Sequence, residues 1–196
     1  MDKSKKKSEV PKAYKGKEKI KLIVLGCDPT NDKNIQFNTV FNLDQDRQYF
    51  GVIRTNLSKI LNMEDNKENV MGYIYVQNLY KGYLDKETGK YKKKEWSDVV
   101  KDSVEPLSEE LDLVTNNDKS IPVALTSEYL LLPLLKEQYL KEYKRFSNIY
   151  RNKKIIGKHE NMLGRNLIAL SRCPVYCSKE YDDYYKFIGE FLKENS

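Results

Sequence analysis

Cysteine, histidine and long apolar runs are all scarce in this chain of 196 residues, and each shortage removes a class of protein. The three cysteines, Cys27, Cys173 and Cys177, are too few and too unevenly placed for a disulfide framework. Cys173 and Cys177 with His159, the only histidine, would supply three metal ligands, but their spacing fits no common zinc module and a fourth ligand is missing. No metal or other cofactor is therefore expected. No stretch approaches the roughly 18 apolar residues of a membrane-crossing helix, and the basic residues 1–21 lack the apolar centre of a secretory signal. No membrane partner is expected, and the cytoplasm is the expected location. Nucleotide and hydrolase signatures are missing too. No G-x-G-x-x-G follows the first strand-like run, and neither a G-x-x-x-x-G-K-[ST] loop nor a G-x-S-x-G elbow occurs.

Charge, by contrast, is abundant, at 33% of residues, with a formal net charge of +6. Its position matters more than its sum. Residues 1–21 hold nine lysines against Asp2, Glu9 and Glu18, and the rest of the chain balances 26 basic residues with 26 acidic ones. A lysine-rich arm can attract a polyanion by counterion release, or it can simply solubilise the chain. Residues 1–18 have almost nothing apolar to bury, so an unstructured basic tail is expected ahead of one domain over residues 19–196.

Four short apolar runs read as buried parallel strands. They are residues 20–25, closing on Gly26; 73–77, closing on Asn78; 121–126; and 154–158, closing on His159. Helical spacing runs through residues 47–61, with Phe50, Ile53, Leu57 and Ile60 on one face. It returns over 96–114 in two pieces, with Pro106 in the first turn of the second. Further helices are expected over 130–150, broken at Pro133, and over 181–192. Residues 30–46 and 85–94 read as irregular, the latter as a solvated turn. Strands alternating with helices predict a three-layer α/β/α fold around a central four-stranded parallel sheet.

Open sheets of this kind bind ligands beyond the carboxyl ends of their strands. The residues expected there are Cys27, Asp28 and Pro29, then Asn78, then Thr126, Ser127 and Glu128, and last His159. An acid, an amide and an imidazole on one rim can do acid–base and oxyanion chemistry. Cys27 with His159 and Asp28 would alternatively suit acyl transfer.

Gly26-Cys27-Asp28-Pro29 resembles the water-activating G-Q-D-P loop of the uracil-DNA glycosylase superfamily, which also follows the first strand of a parallel sheet. Phe41 falls at the spacing of that family's base-stacking phenylalanine, and Asn78 ends the next strand as its uracil-reading asparagine does. His159 and Leu163 are similarly placed to its catalytic histidine and its DNA-wedging leucine. The resemblance spans residues 20–192 in short motifs and has departures. Thr30 stands for the tyrosine that excludes thymine, Asn31 for a histidine, and Glu160-Asn161-Met162 for Pro-Ser-Pro. It implies a uracil-DNA glycosylase-like fold and a monomeric DNA glycosylase. Such an enzyme hydrolyses the N-glycosidic bond of uracil, or a related damaged base, in single- or double-stranded DNA. Asp28 and His159 would be catalytic; Cys27, Pro29, Asn31, Phe41 and Asn78 would hold the substrate; Leu163 and Arg165 would contact DNA. The alternatives are a catalytically silent relative that binds a nucleobase, nucleic acid or protein, and an enzyme acting on a free nucleotide or nucleoside.

Overall fold

The structure is a computed structural model that describes residues 9–33, 35–43, 47–63, 69–171 and 179–194, without the side chains of 47–49 and 179. In chain order its main elements are β1 (Tyr14–Lys15), β2 (Leu22–Gly26), α1 (Arg47–Ile60), β3 (Ile74–Asn78), α2 (Lys93–Val100), α3 (Val104–Val114), β4 (Val123–Leu125), α4 (Leu131–Leu134), α5 (Phe146–Arg151), β5 (Leu167–Ala169) and α6 (Lys179–Glu194). The fold is α/β, with a five-stranded mixed sheet in the order β1-β3-β2-β4-β5. β2, β3, β4 and β5 are mutually parallel, and β1 joins the outer edge of β3 antiparallel.

Burial explains why the apolar runs became strands. β2 lies at the centre of the sheet, and Leu22, Ile23, Val24 and Leu25 are all fully buried. Alternate residues of a strand face opposite sides, so a strand covered on both faces must be apolar throughout. Each such side chain contributes about 1.5–3 kcal/mol by leaving water. The helices supply the cover: α1 and α5 pack on α6, and α2 packs on α4. The tyrosines are part of this core. Tyr150 stacks edge-on with Tyr184 and Tyr185 of α6, whose hydroxyls accept the backbone N–H groups of Ala169 and Ser171.

Three expectations are corrected. First, the unstructured tail does not reach residue 18. Residues 14–15 pair with Tyr75 and Val76, Tyr14 donates its hydroxyl to the Met71 carbonyl at 3.2 Å, and the Gly16 N–H reaches the Ile74 carbonyl at 2.9 Å. The open edge of β3 offers unpaired backbone groups, and so even a lysine-rich segment is ordered there. Residues 1–8 lie outside the described residues. Second, the helix expected over 130–150 is several short pieces. Pro133 sits inside α4, and the chain turns extended at Leu135, just after it. Third, residues 154–158 are not the fourth parallel strand. Ile156 exchanges backbone hydrogen bonds of 3.0 and 2.9 Å with Leu167, in antiparallel sense. That segment covers the edge of β5, and β5 itself is the parallel strand beside β4.

The third correction relocates everything that follows Ile156. Leu167 is the first residue of β5, so the antiparallel chain heads toward the amino ends of the strands as it leaves Ile156. Lys158 accordingly lies beside Lys21, Pro122 and Asn166, each just before a parallel strand.

Candidate functional site

Beyond the carboxyl ends of β2 and β3 lies a cavity of about 500 Å³, lined among others by Asp28, Pro29, Asn31, Phe41, Asn78 and Glu87. That volume is within the ~300–1,000 Å³ typical of small-molecule sites. Four of the five expected substrate-binding residues and the expected catalytic acid therefore share one wall. Cys27 does not line the cavity; its carbonyl accepts the Tyr80 N–H at 2.9 Å and helps tie the ends of β2 and β3 together.

Asn78 is the last residue of β3 and is only 3% exposed. Its backbone N–H is satisfied by Gln77 Oε1 at 2.9 Å, yet no described residue hydrogen-bonds its side-chain amide. Its amide is not among the buried unpartnered groups and lines the cavity, so its donor and acceptor are open to whatever occupies that space. Phe41 lies against it. A Cβ built on Gly26 would fall 2.2 Å from Asn78 Oδ1 and 2.6 Å from Phe41 Cζ, so amide and ring meet over the bare Gly26 backbone. Gly26→Ala is therefore expected to push both groups aside, costing about 1–3 kcal/mol of stability. A melting curve checks this cost.

Phe41 adopts φ 59°, ψ 15°, and Asn42 φ 53°, both in the left-handed region. For a bulky residue this conformation is an outlier costing about 1–3 kcal/mol, a strain found most often at binding sites. The turn is held from the N-terminal side: Val40 donates to the Lys12 carbonyl at 3.0 Å, and Lys12 to the Asn38 carbonyl at 2.8 Å. The Phe41 ring leans on Phe50 of α1, with centroids 6.1 Å apart. The segment expected to be a loose tail thus braces the aromatic wall of the cavity.

Asp28 is half-buried, and its orientation is fixed at both oxygens. Oδ1 accepts the Thr30 N–H at 3.0 Å, and Oδ2 accepts the Thr88 hydroxyl. A carboxylate oxygen has two lone pairs, so each keeps acceptor capacity for a water. Thr30 in turn accepts the Leu84 N–H at 2.7 Å. Asn31 lines the cavity but spends its amide on the loop, donating to the Ile35 carbonyl at 2.7 Å and accepting the Ile35 N–H at 3.0 Å. It shapes the wall, while Asn78 carries the unused amide.

The segment expected as a solvated turn supplies groups that sequence reasoning missed. Residues Thr88–Lys90 form a single helical turn that brings Thr88 to Asp28 and Glu87 to the cavity. Tyr91 is 7% exposed and donates to Asp85; burial first, then the Asp85 carboxylate, push its phenol up to about 12, so it stays a neutral donor. Only Tyr91, a large aromatic within a polar stretch, hinted in sequence that this turn packs inward.

The remaining expected site residues lie elsewhere. His159 is exposed on the turn Lys158–Glu160, stacked edge-on against Tyr139, at the amino edge of the sheet and opposite Asp28. That position removes it from the catalytic pair and removes the Cys27–His159 acyl-transfer arrangement as well. Glu160 is buried instead of facing a phosphate, accepting from the Tyr143 hydroxyl and the Gly157 N–H. Leu163 is 1% exposed and belongs to the core, so it is no DNA wedge. Arg165 is fully buried and cannot reach a phosphate. It donates to the carbonyls of Leu111, Asp118 and Ile121, to Asp112 Oδ1 at 2.8 Å and to Thr115 Oγ1 at 2.8 Å. This one side chain closes the last turn of α3 against the start of β4. Cys173 and Cys177 lie outside the described residues.

What the fold and site define together is an α/β protein with a carboxyl-edge cavity holding an aromatic wall, an unused amide and an oriented carboxylate. Comparison with protein families and with curated proteins finds no match to the chain.

Proposed function

We propose that the cavity takes a uracil-like base and that the protein is a DNA glycosylase-like hydrolase of the N-glycosidic bond, built on a three-layer, uracil-DNA glycosylase-like fold. The observation that carries this reading is the convergence of Asn78, Phe41 and Asp28 on one cavity. The order of the short motifs along the chain adds support. The Phe41 ring offers a stacking face worth about 1–3 kcal/mol to any base. The Asn78 amide can donate and accept in the plane of a pyrimidine edge, the pattern that separates uracil from cytosine.

The chemistry follows from charge. As the bond from the sugar anomeric carbon to the base nitrogen breaks, its electron pair leaves with the base and the sugar becomes cationic. Asp28 faces the cation and holds a water, whose oxygen bonds to the anomeric carbon as its proton passes to the carboxylate. The Asn78 N–H stabilises the departing anion, a contact that typically supplies 10²–10³-fold in rate. His159, on the far edge, takes no part.

A labelled single-stranded oligonucleotide with one deoxyuridine, incubated and then treated with alkali, tests the reading. Strand scission is expected from the wild type, reduced about 10²-fold or more in Asn78→Ala and unchanged in His159→Ala. Absence of scission in the wild type would overturn hydrolysis. One observation favours a second reading, a silent nucleobase binder: the only histidine of the chain is far from the cavity. Uracil binding that needs Asn78, without scission, would select it.

A further inference from the structure

With Leu163 and Arg165 inside the core, the nucleic-acid contacts expected of them must come from elsewhere if a strand is to reach the cavity. Residues 86–94 carry five lysines against a single acid, Glu87. The structure sets the start of this segment, Glu87 and Thr88, at the cavity. Glu87 lines it, Thr88 touches Asp28, and Lys90 pairs with Glu87 at 3.2 Å. Lys86 is paired with Glu95 and Lys93 with Glu128. Lys92 and Lys94 are exposed and form no ion pair among the described residues. Lys33, also exposed, lines the same cavity.

The placement runs against helix physics. α2 begins at Lys93, so Lys92, Lys93 and Lys94 crowd the positive end of its dipole. Cations there oppose the helix dipole, and acids are favoured. Glu95 is the lone acid of that turn. Lys92 and Lys94 remain as exposed cations a few residues beyond Glu87 and Thr88, whereas the cavity lining itself sets Asp28, Asp32 and Glu87 against Lys33.

We infer that the 86–94 segment is a strand-binding lip: the phosphates of a single-stranded nucleic acid lie along Lys90, Lys92 and Lys94 while one base turns into the Asp28–Phe41–Asn78 cavity. The Asn78 amide, open to the cavity and without a protein partner among the described residues, answers the base, and the lysines answer the backbone on either side of it. A single strand needs no wedge to fill a vacated stack, which agrees with the burial of Leu163. This inference rests on the nucleobase reading of the cavity.

Fluorescence anisotropy with the full chain and a fluorescein-labelled single-stranded oligodeoxynucleotide containing one deoxyuridine tests it. The double variant Lys92→Glu/Lys94→Glu is expected to bind about tenfold more weakly or worse at low salt. Its slope of log affinity against log salt should fall by about 1.4, two contacts at about 0.7 each. Lys158→Glu, at the opposite edge, is expected to bind as the wild type does. Equal affinity of the double variant and the wild type, or an equal loss in Lys158→Glu, would overturn the inference. Scission that requires Asp28 but ignores both lysine changes would leave excision standing and remove the lip. Lysine-dependent binding without scission would keep the lip and remove excision.

Discussion

Asp28→Asn is expected to slow base excision by about 10²–10⁴-fold, the usual worth of a positioned general base, while melting temperature and uracil affinity stay near those of the wild type. The substitution keeps the shape of the side chain and its acceptor oxygen for the Thr30 N–H. It removes the negative charge that the proposed mechanism sets against the sugar, and the oxygen that accepts from Thr88. Chemistry should therefore fall while binding, which the proposal assigns to Phe41 and Asn78, persists. Single-turnover rates set beside a uracil titration separate the two. Thr88 acts through Asp28 and is a positioning residue: Thr88→Ser keeps the hydroxyl and should retain the rate that Thr88→Val loses.

Arg165→Ala is expected to destabilise the fold by about 3–5 kcal/mol, a fall in melting temperature of about 6–20 °C at this chain length. The side chain is fully buried and satisfies three carbonyls as well as Asp112 and Thr115. Removing it leaves those carbonyls without a donor and opens a void between α3 and β4. Asp112 keeps Lys119 at 2.5 Å, so the loss is more than one ion pair. Burial alone would raise the Asp112 carboxyl, but the hydrogen bonds from Lys119 and Arg165 outweigh it and hold it below the usual carboxylate range. A carboxyl depressed on folding adds stability above its unfolded pKa of about 3.9 and loses it as pH falls through the folded value. Wild-type stability should thus decline below about pH 4, and the variant should show less of that decline. A DNA-contacting arginine would instead lower the salt dependence of binding and leave the melting curve alone.

The sequence made the centre of the sheet legible and misread its margins, for physical reasons. β2, β3 and β4 are covered on both faces, so burial leaves a continuous apolar run that composition alone exposes. Asp28 and Asn78 could be placed for the same reason, because each ends or follows such a strand. Composition carries no chain direction, and residues 154–158 are as β-branched as a parallel strand while running the other way. His159 went to the wrong edge with them. Arg165 looked like a phosphate ligand because arginines are seldom buried; only the positions of the α3 carbonyls show what it is for. Thr88 was illegible because its role is a hydrogen bond to a residue 60 positions away, inside a stretch of turn-forming composition. Phe41 was placed by resemblance, but its left-handed backbone could not have been read from its neighbours.

The claim on which the rest stands is that the Asn78 amide, which opens onto the cavity and has no protein partner among the described residues, pairs with a base. The most direct measurement is a crystal structure of the Asp28→Asn variant with a single-stranded oligonucleotide carrying one deoxyuridine. A uracil ring stacked on Phe41 with its edge hydrogen-bonded to the Asn78 amide is the predicted result. An oligonucleotide bound elsewhere, with the Asn78 amide still facing an empty cavity, would contradict it.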